Sequence, residues 1–282
     1  MATTTPDPRP VRRPRHAPVQ RVERLGPHLV RIVVAGEELA GFDAGLFTDH
    51  YVKLQLPPQG APYRAPFDVE EIRATLPREQ WPRTRTYTVR AWDPAANALT
   101  IDFVVHGDEG VAGPWAASAR PGDVLQLQGP GGAYAPDPAA DWHLLVGDES
   151  ALPAIAASLA AVPAGARTVV RLVCDGPEHE VPLPSPGELD LVWLHRTGSA
   201  ADAALLPDAI AALEFPAGRV HAFVHGEADE VRALRRHLLL DRGVPRADMS
   251  CSPYWRRTMT DEAWRAIKRD YVAAMDADLG AA

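Results

Sequence analysis

Cysteine and lysine are nearly missing from this chain: two of each in 282 residues. Cys174 and Cys251 stand far apart and form no CxxC pair, which excludes a disulfide framework and a thiolate metal centre and leaves two isolated core thiols. No run approaches the ~20 apolar residues of a membrane span, and residues 1–20 lack the apolar stretch of a secretory signal. The expectation is a cytoplasmic protein with no membrane span. No GxSxG elbow is present, so a serine hydrolase built on it is excluded. Of the 10 histidines, His221 and His225 are four apart. On a strand they stand ~13 Å from each other, too far to share an ion. His106 has no ligand-spaced partner, and no metal centre is expected.

What is present is a globular composition, 46% hydrophobic and 23% charged, in a chain long enough for two domains. The net charge of −8 hides an asymmetry: Arg9, Arg12, Arg13 and Arg15 against Asp7 give residues 1–17 a net +3, leaving −11 for the rest. A body that acidic speaks against nucleic-acid binding, and residues 1–17 read as a disordered, solvated, Pro-rich arm.

From residue 18 to 138 the pattern is strand-like. Short β-rich runs at 30–34, 51–56, 85–92, 99–106 and 123–128 are bounded by Gly, Pro or Asp, with a helical insertion at 69–80. The run 99–106 alternates, placing Leu99, Ile101, Phe103 and Val105 on one face. This spacing predicts an antiparallel β-barrel. From 139 to 282 apolar strands at 142–146, 168–174, 189–195 and 220–224 alternate with helices at 150–161, 202–213 and 228–240. A segment at 249–254 and a helix at 261–275 follow. That rhythm predicts an α/β domain with a parallel sheet and a C-terminal helix.

Three stretches carry candidate chemistry. In Arg85-Thr86-Tyr87-Thr88-Val89-Arg90, a guanidinium suits a phosphate, a tyrosine ring suits a planar heterocycle and a threonine suits a ring nitrogen. The loop from His106 to Trp115 is neither a Walker loop nor GxGxxG, but it places glycines and backbone N–H groups before a helix start, where a pyrophosphate would sit. In Gly147-Asp148-Glu149-Ser150, Ser150 reads as an N-cap at the C-terminal edge of a parallel sheet, where nucleotides bind.

These stretches occur in order with Asp102-Phe103-Val104-Val105-His106-Gly107, Arg120-Pro121-Gly122-Asp123, Gly129-Pro130-Gly131-Gly132 and Tyr254-Trp255-Arg256-Arg257. Together, from about residue 17 to 275, the chain resembles the siderophore-interacting proteins, a branch of the ferredoxin-reductase-like flavoenzymes. The resemblance implies FAD held by Arg85, Tyr87, Thr88, Arg90, Asp102, Val104, His106, Gly110, Val111, Ala112, Gly113 and Trp115. It implies a nicotinamide-side edge formed by Gly147, Asp148, Glu149, Ser150, Leu152, Gly226, Glu227 and Trp255, with NADPH or NADH as donor. Lys53, Arg256 and Arg257 match positions that receive an anionic ferric siderophore. One departure stands out: the family's phosphate-loop serine is absent, and Pro114 supplies no N–H. Weakened FAD binding is expected. The activity implied is cytoplasmic reduction of ferric siderophores by a monomer, with no residue acting as acid or base. A flavin or quinone reductase with another acceptor, and a non-catalytic siderophore-binding protein, are the alternatives.

Overall fold

The computed structural model describes residues 14–107 and 110–280, with side chains described to 278. The expected arm at 1–17 falls mostly outside the described residues. Its last part does not: β1 (Arg15–Gly26) begins inside it, pairing with β2 (Leu29–Ala35) and with β7 (Val124–Gly131). β3 (Tyr51–Leu56), β4 (Arg83–Thr88), β5 (Ala91–Asp93) and β6 (Ala98–Val104) complete an antiparallel sheet of order β4-β3-β7-β1-β2-β6-β5. The two edge strands are consecutive in sequence. At their junction the Val89 N–H donates to His50 O at 2.7 Å and the Arg90 N–H to Thr100 O at 2.9 Å. One strand therefore crosses from the β3 edge to the β6 edge and closes the barrel, so neither edge is left open. Its core is the alternating set Val52, Leu54, Leu99, Ile101, Phe103, Leu125 and Leu127.

The insertion is shorter than its pattern. Asp68 caps α1 (Val69–Thr75) by accepting from the Glu70 and Glu71 N–H groups, and Pro77 separates it from a 3-10 turn at Arg78–Gln80. A short helix, α2 (Ala112–Ser118), follows the loop after β6.

The second half is a parallel sheet of β8 (Trp142–Gly147), β9 (Arg167–Cys174), β10 (Glu188–His195), β11 (Val220–Glu227) and β12 (Met249–Trp255) in the order β10-β9-β8-β11-β12. The connection order reverses between β8 and β11, which makes their C-terminal ends the topological switch point. Helices α3 (Leu152–Ala161), α4 (Leu205–Ala211) and α5 (Ala228–Arg236) connect the strands. Ser150 is not the N-cap of α3; Ala151 holds that position, because Ser150 is drawn into the preceding turn.

The last helix, α6 (Asp261–Gly280), buries Trp264, Tyr271 and Met275 against Ala228 and Val231 of α5. At about 1.5–3 kcal/mol for each large apolar side chain removed from water, this face anchors the helix. Its first turns then reach back to the barrel: Asp261 and Glu262 bind Arg85 at 3.1 and 2.7 Å, and Arg265 donates to Thr84 O at 2.8 Å. Between the domains, Leu29 and Tyr134 bury against Leu145, Leu152, Ile155 and Phe223.

Candidate functional site

Three groups of residues converge around the seam between the two domains. The first lies on the barrel. Tyr87 of β4 packs on Phe103 of β6 with ring centroids 4.4 Å apart, and Phe103 on Trp115 of α2 at 5.5 Å. Arg90, at the strand crossing, has a buried Nε with no hydrogen-bond partner. Its neighbour Asp102 is already taken: Arg31, directly opposite in the β2–β6 register, binds both its oxygens at 2.7 and 2.8 Å. Burial first, and the Arg31 charge next, hold the Arg90 pKa below its ordinary value, against the pull of Asp102. A half-buried cation beside a second cation, with a buried unpaired Nε donor, is a place for an anion. Gly110, at φ 83°, leads into α2, and Gly113, in its first turn, packs close to β6, where an added Cβ would sit 3.6 Å from Val104 O. The aromatic set and the unpaired Arg90 donor are compatible with a flavin dinucleotide.

Arg85 is placed differently. Its guanidinium is spent on Asp261 and Glu262 of α6, with 13% of the side chain exposed. Thr88 is buried, Val104 joins the packing at the seam, and His106 is exposed.

The second group is the switch point. Asp148 is 1% exposed, and four donors converge on its carboxylate. The Ser150 N–H (2.8 Å) and hydroxyl reach Oδ1; the Glu227 N–H (3.0 Å) and Trp255 Nε1 (2.7 Å) reach Oδ2. One side chain therefore ties together the ends of β8, β11 and β12. The approach is close: a Cβ on Gly147 would lie 2.6 Å from His225 O, and one on Gly226 2.7 Å from Asp148 Oδ2. Glu227 caps α5 through the Asp229 and Glu230 N–H groups, and Glu149 is paired with Arg196, which also holds Asp175 at 2.9 Å. These carboxylates serve the turn geometry itself.

Glu230, 4% exposed, binds Arg257 at 2.6 Å. Burial outweighs that partner and pushes its pKa up to about 7, with Asp148 adding repulsion. Between the ordinary value of 4.5 and about 7, the folded chain keeps a proton that the unfolded chain releases. The stabilisation is full below the lower value and is lost as pH rises through the upper one. Melting temperatures measured across that window should fall with pH in the parent chain and fall less steeply in Glu230→Gln; parallel curves would show that Glu230 titrates normally. Burial pushes the neighbouring His225 down to about 3 and Cys251 up to about 12, so it favours the uncharged imidazole and thiol.

The third group lines a cleft of about 810 Å³ on the outer face of β3, β4 and β7, under α1. Lys53 and Gln55 of β3, Thr84 of β4, and Gln126 and Gln128 of β7 alternate with the core residues of the same strands. Gln126 clamps the Phe67 backbone through both its amide atoms, at 2.9 and 3.1 Å. Arg265 of α6 completes one wall. Lys53 sits here without Arg256 and Arg257: those two turn to acids at the start of α5, Arg256 toward Asp229 at 3.6 Å and Arg257 to Glu230. The expected siderophore set is therefore split, and Arg73 of α1 and Arg265 of α6 are the guanidinium groups that line the cleft with Lys53. The β7 alternation Leu125-Gln126-Leu127-Gln128 was a readable signal for a polar face; nothing local points to Arg265.

Comparison with known proteins gives consistent results. Residues 18–134 match a family model described as siderophore-interacting FAD-binding domain, and residues 140–258 one described as siderophore-interacting protein. An uncharacterized protein of Mycobacterium tuberculosis (strain ATCC 25618 / H37Rv) is 42% identical over 93% of this chain and 97% of its own length. The ferric vibriobactin reductase of Vibrio cholerae is 36% identical over 89% of this chain and 92% of its own. The crystal structure of the siderophore-interacting protein SipS from Aeromonas hydrophila superposes with a TM-score of 0.78 at 33% identity, covering 94% of this chain and all of that one.

Proposed function

Since the chain belongs to the siderophore-interacting protein family, we propose that it reduces ferric siderophores in the cytoplasm, drawing electrons from NADPH or NADH by way of bound FAD and releasing Fe(II). The observation that carries this reading is the wide cleft where Lys53, from the strand beside β4, and Arg265, from the helix that grips β4, stand with Arg73 of α1. An anionic iron chelate is thereby received one strand from Tyr87, whose register partner Val52 is the neighbour of Lys53.

FAD, when bound, supplies the conversion from two-electron hydride chemistry to the one-electron chemistry that a ferric acceptor requires. The chain's own residues bind and orient. Arg90, with the loop at Gly110, Val111, Ala112 and Gly113, would hold the diphosphate, while Tyr87 and Trp115 supply apolar faces. Pro114 offers no amide there, which lowers the affinity. The switch-point turns at Gly147 and Gly226 form the edge that a nicotinamide would meet. Lys53 and Arg265 concentrate an anion against an otherwise acidic body. Outer-sphere electron transfer requires no proton donor, in keeping with a neutral His225.

The test is anaerobic stopped-flow reduction of the FAD-loaded protein by NADPH or NADH, followed by reoxidation with ferric siderophores. The Lys53→Ala/Arg265→Ala double variant should keep its flavin and its nicotinamide half-reaction. Its kcat/KM for the ferric complex should fall about tenfold to a hundredfold, the loss of roughly 1.4–2.8 kcal/mol of charge recognition. Reoxidation by quinones but not by ferric siderophores would replace this reading with a quinone reductase. Failure to take up FAD would leave a binding protein.

A further inference from the structure

Away from the cleft, on the other side of the seam, three metal-ligating side chains meet. His28 stands in the turn between β1 and β2 of the barrel; Asp175 follows the end of β9, and His179 ends a 3-10 turn at Pro177–His179 of the α/β domain. One ligand atom from each of the three lies within 4.8 Å of the others. We propose that His28, Asp175 and His179 form a binding site for a divalent first-row transition-metal ion that joins the two domains.

The geometry is close to what such an ion needs. Two ligand atoms about 2.05 Å from a tetrahedral ion stand about 3.3 Å from each other. His28 Nδ1 and Asp175 Oδ2 are 3.4 Å apart, and the two imidazole rings lie with centroids 4.4 Å apart at 55°. The ligands are held from behind. Asp175 gives its other oxygen, Oδ1, to Arg196 at 2.9 Å, which turns Oδ2 toward His28. Glu178 Oε1 lies 3.5 Å from His179 Nε2, a further carboxylate at the edge of the cluster. The backbone on both sides is fixed as well: His28 O accepts from the Val105 N–H at 2.8 Å, and the His179 N–H donates to Gly176 O at 3.0 Å. A movement of side chains alone closes the set.

Two imidazoles and one carboxylate select for zinc, iron, cobalt, nickel or copper over magnesium and calcium, which prefer all-oxygen ligands. Three protein ligands leave at least one coordination position open. The site is exposed enough to load from solution, with His28 42% and Asp175 45% accessible, while His179 at 8% is the inner anchor. The proposal is independent of the reductase reading, because it is tested without flavin or nicotinamide. Under that reading, Fe(II), the ion the protein releases, belongs to the same class.

The experiment uses the full chain without an affinity tag, stripped with EDTA and desalted. Titration with Co(II) should give a d–d absorption band that saturates at one equivalent and is abolished by Zn(II) but not by Mg(II). Zn(II) should also raise the melting temperature, since the ion ties the barrel to the α/β domain. His28→Ala, which removes a half-exposed side chain, should keep the metal-free melting temperature. In that variant Co(II) affinity should fall about a hundredfold and the Zn(II)-induced rise should vanish; His179→Asn should do the same. Absence of the Co(II) band in the parent chain overturns the site. So does a band that persists unchanged in the His28→Ala/His179→Asn variant.

Discussion

Asp148→Ala should lower the melting temperature by roughly 6–20 °C, the effect of about 3–5 kcal/mol in a chain of this size. The cost comes from stranded donors. The carboxylate is 1% exposed and satisfies two backbone N–H groups, a hydroxyl and the Trp255 indole N–H. Alanine fills little of the space and leaves all four donors without an acceptor in a site that admits little water, and each stranded donor costs about 1–3 kcal/mol before relaxation. Asp148→Asn keeps the shape but turns an NH2 toward donors on one side, so it should fall between parent and alanine. The strands it joins, β8, β11 and β12, are three adjacent strands of the five-stranded sheet, so the loss should appear as a single cooperative shift. Differential scanning calorimetry decides the matter. An alanine variant melting within about 2 °C of the parent would mean that the carboxylate is not the tie described here.

Arg90→Ala should act in the opposite sense on the two forms of the protein. Without cofactor, Arg90 Nε has no partner, and burial together with Arg31 disfavours the charge. Removing it should leave the melting temperature unchanged or raise it slightly. With FAD, the loss of charge-assisted hydrogen bonds worth about 1.5–3 kcal/mol should weaken binding roughly 10- to 150-fold. Flavin fluorescence titration, paired with melting curves in both forms, reads the two signs separately. An unchanged FAD affinity would remove Arg90 from the cofactor site. A large fall in the cofactor-free melting temperature would show its role to be structural.

How legible the molecule was depends on how local each feature is. The alternation at 99–106 places Leu99, Ile101 and Phe103 in the barrel core at 0% exposure, as its period of two requires. Asp102, on the outward face of that pattern, is nonetheless buried, because the β2–β6 register sets Arg31 opposite it. Residues 85–92 read correctly as extended, yet the crossing at Val89 and Arg90 depends on which strands flank it, and those come from elsewhere in the chain. The same limit explains Arg85. Its type and position suit a phosphate, but its partners Asp261 and Glu262 are 176 and 177 residues away, and only tertiary structure brings α6 to β4. The Gly147–Ser150 turn was recognisable as a sheet-edge turn, whereas the inward commitment of Asp148 depended on Glu227 and Trp255 arriving from two other strands. Asp175 and His179 stand four apart in one turn, but His28 is brought to them only across the seam, so the three together could not be read from spacing.

The strand that closes the barrel is also the strand that offers Tyr87 and Arg90. If the cofactor is held by these residues as proposed, closing the barrel and binding the cofactor are linked equilibria. A group that grips this strand raises the free energy of opening the barrel by RT ln(1 + [L]/Kd). Under the proposed function, the cofactor-free chain is the form more open to proteases.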